Sequence, residues 1–150
     1  MISVAKIKDA NKLTEIALKA KAYWGYSNHL IESWQEDLTI TSVMISESYI
    51  FKFLVDDTIV GFYFLNPLIE KSIELEMLFV LPAFIGKGIG KQLLIHAFQK
   101  ARTLKASTMT LLADPNAVPF YNSQGFYTID NKESSIIGRF LPVMQKDLEE

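Results

Sequence analysis

The chain has 150 residues, 49% of them hydrophobic, with a formal net charge of −2. That apolar content excludes a disordered polymer, and the near-neutral charge gives no electrostatic reason for a nucleic-acid partner. With no cysteine and two histidines, disulfides and thiolate chemistry are absent and no metal site is expected.

The length suits one domain over residues 1–150. Ile2 to Ile7 alternates as a strand. Asp9 is a candidate N-cap for a helix from Ala10 to about Trp24, with Leu13, Ile16, Ala17 and Ala20 as its apolar stripe and Gly25 at its end. Ser27 can cap a second helix, His29 to about Leu38, and residues 39–48 read equally as strand or short helix. Tyr49–Val55 and Thr58–Leu65 form a hairpin about Asp56-Asp57, and Ser72–Val80 is the next strand. A helix over 88–105 carries Ile89, Leu93, Leu94, Ala97, Phe98, Ala101 and Leu104 on one side. Thr108–Ala113 is a strand, Ala117–Gln124 a short helix closed by Gly125, and Tyr127–Asp130 and Ile136–Gln145 are late strands. Pro142 in the last one predicts an edge or a bulge. The order is that of a mixed α/β sheet domain. The longest apolar run, Ile59–Ile69, is interrupted by Asn66-Pro67, and Lys6, Lys8 and Asp9 stand where a signal peptide needs apolar residues. A cytoplasmic protein without a membrane partner is the expectation, as monomer or homodimer.

Residues 80–91, Val-Leu-Pro-Ala-Phe-Ile-Gly-Lys-Gly-Ile-Gly-Lys, join an apolar strand to a helix start. Glycines let backbone N–H groups approach one centre, and a helix N-terminus adds unpaired N–H groups and partial positive charge. The turn is therefore read as a phosphate or pyrophosphate cradle. A dinucleotide fingerprint fails because Lys91 occupies the third glycine position. A P-loop fails because Gln92 replaces the metal-binding hydroxyl and Ile85 the leading glycine.

Val80-x-Pro82 followed by Gly86-x-Gly88-x-Gly90 resembles the acetyl-CoA loop of the GNAT superfamily of N-acetyltransferases, with Ile85 where Gln or Arg is usual. Residues 114–126, Asp-Pro-Asn-Ala-Val-Pro-Phe-Tyr-Asn-Ser-Gln-Gly-Phe, resemble the second GNAT signature at Asn116, Phe120, Tyr121, Gly125 and Phe126. Together with the flanking elements the resemblance covers about Val4 to Met144.

The resemblance implies the GNAT-like acyl-CoA N-acyltransferase fold: a mostly antiparallel central sheet, splayed at the cofactor site and flanked by helices. It implies acetyl-CoA as co-substrate, an amine acceptor of unknown identity, and direct attack through a ternary complex. A non-catalytic acyl-CoA-binding module is the alternative, and Ile85 is the feature that supports it. Gly86, Lys87, Gly88, Ile89, Gly90 and Lys91 would hold the pyrophosphate. The backbone of Leu78, Phe79 and Val80 would pair with the pantetheine arm and offer an oxyanion donor. Asn116 would bond that arm or cap the following helix, and Phe120 would line it. Tyr121 would protonate the leaving thiolate; its other reading is core packing. Glu74 or Glu76 would be the base, unless ordered water serves. Strand alternation predicts that both share a face with Leu78 and Val80. Tyr23, Trp24, Tyr26 and His29 lie where the first two helices meet and can line an acceptor pocket or serve structure; His96 is read as structural.

Overall fold

The alternating apolar runs become one seven-stranded sheet in the computed structural model, which describes residues 1–134 and 138–148. The strands are β1 (Ile2–Val4), β2 (Tyr49–Val55), β3 (Thr58–Leu65), β4 (Ser72–Val80), β5 (Thr108–Leu112), β6 (Tyr127–Glu133) and β7 (Phe140–Asp147). Their order is β1-β2-β3-β4-β5-β7-β6. Every neighbouring pair is antiparallel except β4–β5. The described residues also form six α-helices: α1 (Ala10–Ala22), α2 (Asn28–Ser33), α3 (Gln35–Leu38), α4 (Ser42–Glu47), α5 (Ile89–Thr103) and α6 (Val118–Ser123). None of the described helices is long and apolar enough to cross a membrane.

Two apolar layers sandwich the sheet. Leu93, Leu94, Ala97 and Phe98 of α5 pack with Val60, Tyr63, Leu65, Ile73 and Leu75 on one face. Leu13, Ile16 and Ala17 of α1 pack with Ile50, Phe62, Phe64 and Met77 on the other. Both stripes follow the helical period of their sequences, so each helix buries one side and leaves its charges in water. Asp56 and Asp57 both take positive φ (50° and 62°), the twist that a two-residue hairpin turn requires.

Several expectations are revised. Asp9 precedes α1 but makes no side-chain cap bond to it. Its carboxylate is buried, accepts from the Lys6 backbone N–H at 2.8 Å and binds Lys52 Nζ at 2.7 Å, tying the start of α1 to β2. The second predicted helix breaks at Trp34 into α2 and α3, and residues 42–47 are helical. Pro142 is not on an edge: β7 lies between β5 and β6. It sits one residue beyond the last β5–β7 pair, Leu112↔Val143, and pairs with Asn131; the β6 bulge, between Thr128 and Asp130, lies across from its neighbours Val143 and Met144. A ladder tolerates a residue without an N–H where pairing has ended on one side. The predicted start of this strand at Ile136 lies outside the described residues.

The predicted facing of β4 is also corrected. Phe64 pairs with Met77 but Leu65 pairs with Leu75, so Glu76 is an extra residue. A bulge inverts the alternation beyond it. Ile73 and Leu75 before the bulge share the α5 face with Leu78 and Val80 after it, whereas Met77 and Phe79 face α1. The two glutamates therefore do not lie on the face of Leu78 and Val80. Asn66 Nδ2 donates to both, at 2.9 Å to Glu74 and 3.1 Å to Glu76.

Gly61 sets the spacing at this end of the sheet. It pairs with Val80, and a Cβ there would lie 2.9 Å from the Phe79 carbonyl oxygen and 3.3 Å from a Leu93 methyl. Gly61→Ala must displace backbone, so we expect it to lose about 1–3 kcal/mol of stability, measurable as a lower urea midpoint.

Candidate active site

β4 and β5 stay together only from Ser72↔Thr108 to Leu75↔Leu111. Beyond that register β4 runs on to Val80 with no partner on its β5 side, while β5 turns away at Leu112. The gap is a cavity of about 570 Å³ that reaches both faces of the sheet. Met77, Leu78, Phe79 and Val80 form one wall, Leu111, Leu112 and Tyr121 another, and the glycine-rich turn one end.

At that end Gly86 and Gly88 take φ of 85° and 78°, and Gly88 caps α5 in the left-handed conformation. Only glycine adopts this cheaply. The first backbone bond of α5 is Gln92 N–H to the Gly88 carbonyl at 3.0 Å. The amides of residues 86–91 have no acceptor among the described residues, so six consecutive N–H groups are available at the cavity's end. Gly88, Ile89, Gly90 and Lys91 line the cavity. Lys87 does not; its ammonium lies over the Phe84 ring at 5.6 Å. Ile85 lines the cavity and is 44% exposed, an apolar side chain beside the free amides. A Cβ on Gly90 would meet the Phe120 ring at 3.7 Å, an ordinary contact distance, so the glycine-rich turn and α6 are near neighbours.

α6 puts Tyr121 into the cavity wall. Its ring is packed edge-on between Phe120 and Phe126, with centroids 5.3 and 5.5 Å away. The residue is 8% exposed, and its hydroxyl makes no hydrogen bond within the described residues. No fully buried side-chain polar atom there is left without a partner, so this hydroxyl opens into the cavity. Burial, and secondarily the charge of Asp114, push the phenol well above its ordinary pKa of 10.0 and keep it protonated.

Glu76 lines the cavity on the α1 and α3 side with Asp37, Ala20, Lys21 and Trp24; Glu74, its neighbour across the Asn66 amide, does not. Partial desolvation in the groove raises the Glu76 pKa, although the residue as a whole stays exposed. The Asn66 hydrogen bond opposes this, and the charges of Glu74 and Asp37 add to it. Of the aromatic and imidazole residues between the first helices, Trp24 lines the cavity. Tyr23 stacks edge-on against it at 5.3 Å but is outside the lining, as is the exposed His29. His96 is hydrogen-bonded to Tyr63 at 2.7 Å, away from the cavity.

A charged cluster at the mouth was not anticipated. Asp114 accepts from Lys21 Nζ at 2.5 Å, from Tyr26 Oη at 2.9 Å, from the Asn116 backbone N–H at 2.9 Å and from Asn116 Nδ2 at 3.0 Å. Arg139 donates to Tyr26 Oη and lies 3.9 Å from the same carboxylate. Lys21 and Arg139 both stand over the rings of Tyr26 and Trp34, 5.0–5.9 Å from their centroids. Asp114, not Asn116, caps the turn into α6. The Asp-Pro pair is a turn signal, but nothing local in the sequence points to Lys21 or Arg139 as its partners.

A family model described as an acetyltransferase (GNAT) domain matches residues 14–148. The chain belongs to the GNAT family. The paia N-acetyltransferase of Thermoplasma acidophilum, solved in complex with coenzyme A, superposes with a TM-score of 0.82 at 26% identity over 98% of both chains. A putative acetyltransferase of Salmonella typhimurium, yncA, solved with its cofactor acetyl-CoA, has a TM-score of 0.73 at 20% identity, covering 100% of this chain and 94% of its own. An uncharacterized N-acetyltransferase, ycf52, of Gracilaria tenuistipitata var. liui is 43% identical over 47 residues, 31% of this chain. That match spans about a quarter (26%) of the algal protein's length. The mostly antiparallel, splayed sheet is the GNAT fold that the two sequence signatures implied.

The Asp114 carboxylate is partly buried. Although burial acts to raise its pKa, the bonds from Lys21, Asn116 and Tyr26 outweigh that and hold it below the ordinary 3.8. A depressed folded-state pKa means that its stabilising contribution is full above about pH 4 and is lost as pH falls through the folded value. In urea melts, the stability gap between the wild type and Asp114→Asn, which cannot titrate, should be clear at pH 6 and narrow steadily below pH 4.

Proposed function

We propose that this GNAT domain moves an acetyl group from acetyl-CoA to a primary amine, by direct attack within a ternary complex. The observation that carries the reading is the joint placement of the glycine-rich turn with its free amides, the unpartnered edge of β4 and the Tyr121 hydroxyl around one cavity. Pyrophosphate fits the amide cradle, where Lys91 adds charge. The pantetheine arm fits the gap, where the backbone of residues 78–80 takes the place of the missing strand partner. An N–H on that edge is the donor available to the thioester carbonyl oxygen as negative charge develops there. Bound acetyl-CoA supplies the activated acetyl group.

The chain's own groups then have two proton tasks. An alkyl ammonium titrates near ~10.4 and an ordinary carboxylate near ~4.3, so direct transfer is uphill by about 8 kcal/mol. Glu76 reduces this gap because partial desolvation and two neighbouring carboxylates raise its pKa. Desolvation of the ammonium narrows it further from the other side. We assign the base to Glu76 rather than Glu74 because only Glu76 lines the cavity. At the other end, Tyr121 stays protonated and donates to the departing sulfur. A thiol titrates near ~8.5, so a phenol raised above 10.0 stabilises the thiolate by hydrogen bonding and yields its proton only as the thiolate, itself desolvated, becomes more basic.

Ile85 is the observation behind the second reading, an acyl-CoA-binding module without turnover. Calorimetric titration with acetyl-CoA, in parallel with ATP and NAD, tests the cradle, and a thiol-release assay over an amine panel separates transferase from binding module. Binding without release for any amine would favour the module. For a transferase, Tyr121→Phe should lower kcat by about 10²-fold or more with little change in the Kd for acetyl-CoA; unchanged kcat would remove Tyr121 from the chemistry. Glu76→Gln should lower kcat/KM for the amine by a similar factor near pH 7 and recover as pH rises toward the amine's own pKa. A loss that does not depend on pH would assign Glu76 a structural part.

A further inference from the structure

Asn116 spends both amide hydrogens inside the protein. Nδ2 donates to Asp114 Oδ1 at 3.0 Å and to Tyr26 Oη at 3.2 Å. A carboxylate can only accept, so the amide face turned to Asp114 must be the NH2 group. Tyr26 Oη donates its single proton to Asp114 and so accepts from Asn116 and Arg139. The pattern admits one orientation of the Asn116 side chain. Its carbonyl oxygen, to which no described group donates, is left free on a residue that lines the cavity.

We propose that Asp114, with Tyr26, is a positioning residue that fixes the polarity of Asn116, presenting an acceptor and never a donor to the cavity, so that this wall selects an amide N–H of the pantetheine arm. The inference rests on the acetyl-CoA reading above. Asp114 suits the task because it is itself over-determined. Lys21 reaches it from α1, and Arg139, which precedes β7, comes within 3.9 Å. The Asp114 and Lys21 side chains are only 11% and 19% exposed. Two segments far apart in sequence thus hold one carboxylate in place, and it holds one amide. Without the charge, an amide at position 114 can face Asn116 with either its oxygen or its nitrogen, and the orientation of Asn116 is no longer dictated.

The test is a double-mutant cycle read by calorimetric titration of the full chain with acetyl-CoA. Asp114→Asn should weaken binding roughly three- to tenfold, the range of one lost hydrogen bond. In an Asn116→Ala background the same change should weaken it less than about twofold, because a residue that acts through Asn116 has nothing left to position. Tyr26→Phe removes one of the two internal acceptors and should weaken binding about two- to threefold with Asn116 present and have no effect without it. That arm keeps the test decisive if circular dichroism shows Asp114→Asn misfolded. Equal losses in both backgrounds, or no loss with Asn116 present, would overturn the proposal. If the wild type fails to bind acetyl-CoA, the proposed function is overturned instead, so the two failures are distinguishable.

Discussion

The parting of β4 from β5 after Leu75↔Leu111 governs the rest of the molecule. A sheet with every strand paired has no room for a ligand in its plane. Here the single parallel pair holds for four residue pairs and then opens, and β4 continues alone. Unpaired backbone groups in a largely apolar cleft are costly unless something satisfies them. A ligand that runs in as an extended chain with its own amides satisfies them, and a pantetheine arm has that form. The glycine-rich turn stands at one end of the opening because it is the continuation of the strand that was left unpaired.

The bulge at Glu76 decides what each face of the opening carries. By inverting the alternation it sends Leu78 and Val80 into the α5 layer, where they pack with Ile73 and Leu75. The carboxylates are left toward α1 and α3, where Asp37 stands close enough to raise Glu76 further. The proposed base and the proposed acid therefore come to the cavity from different elements. Glu76 comes from the strand and Tyr121 from α6 beyond β5, with the gap between them. Their environments push both pKa values upward, each by desolvation first, and the two consequences differ. A carboxyl becomes a better base, and a phenol is kept as a proton donor.

The mouth of the cavity is charged in a way the net charge of −2 conceals. Lys21 and Arg139 share Asp114 over an aromatic floor of Tyr26 and Trp34, and Lys21 and Asp114 line the same cavity as Glu76 and Asp37. Exposed ion pairs contribute little. This cluster is mostly withdrawn from water and binds the end of α1, the turn into α6 and the start of β7. On the proposed reading it ties the acceptor side of the cavity to the cofactor side.

Local pattern alone determined β2, β3 and β4 to the residue, the amphipathic faces of α1 and α5, the hairpin at Asp56-Asp57 and both GNAT signatures, because period, turn chemistry and glycine placement act within a few residues. Where local signals competed, the sequence did not decide. Trp34 divides one predicted helix into two, and Asp9 turns from capping α1 to a lysine 43 residues away. The facing of Glu74 and Glu76 was misjudged, because a bulge is a mismatch of two strands and leaves no mark in one of them. Asp114 stood in a recognised signature, yet its partners Lys21 and Arg139 come from both ends of the chain. Tertiary structure alone brought them together, because the energy of a buried charge is settled by whatever lies nearest in space, and sequence separation does not enter it.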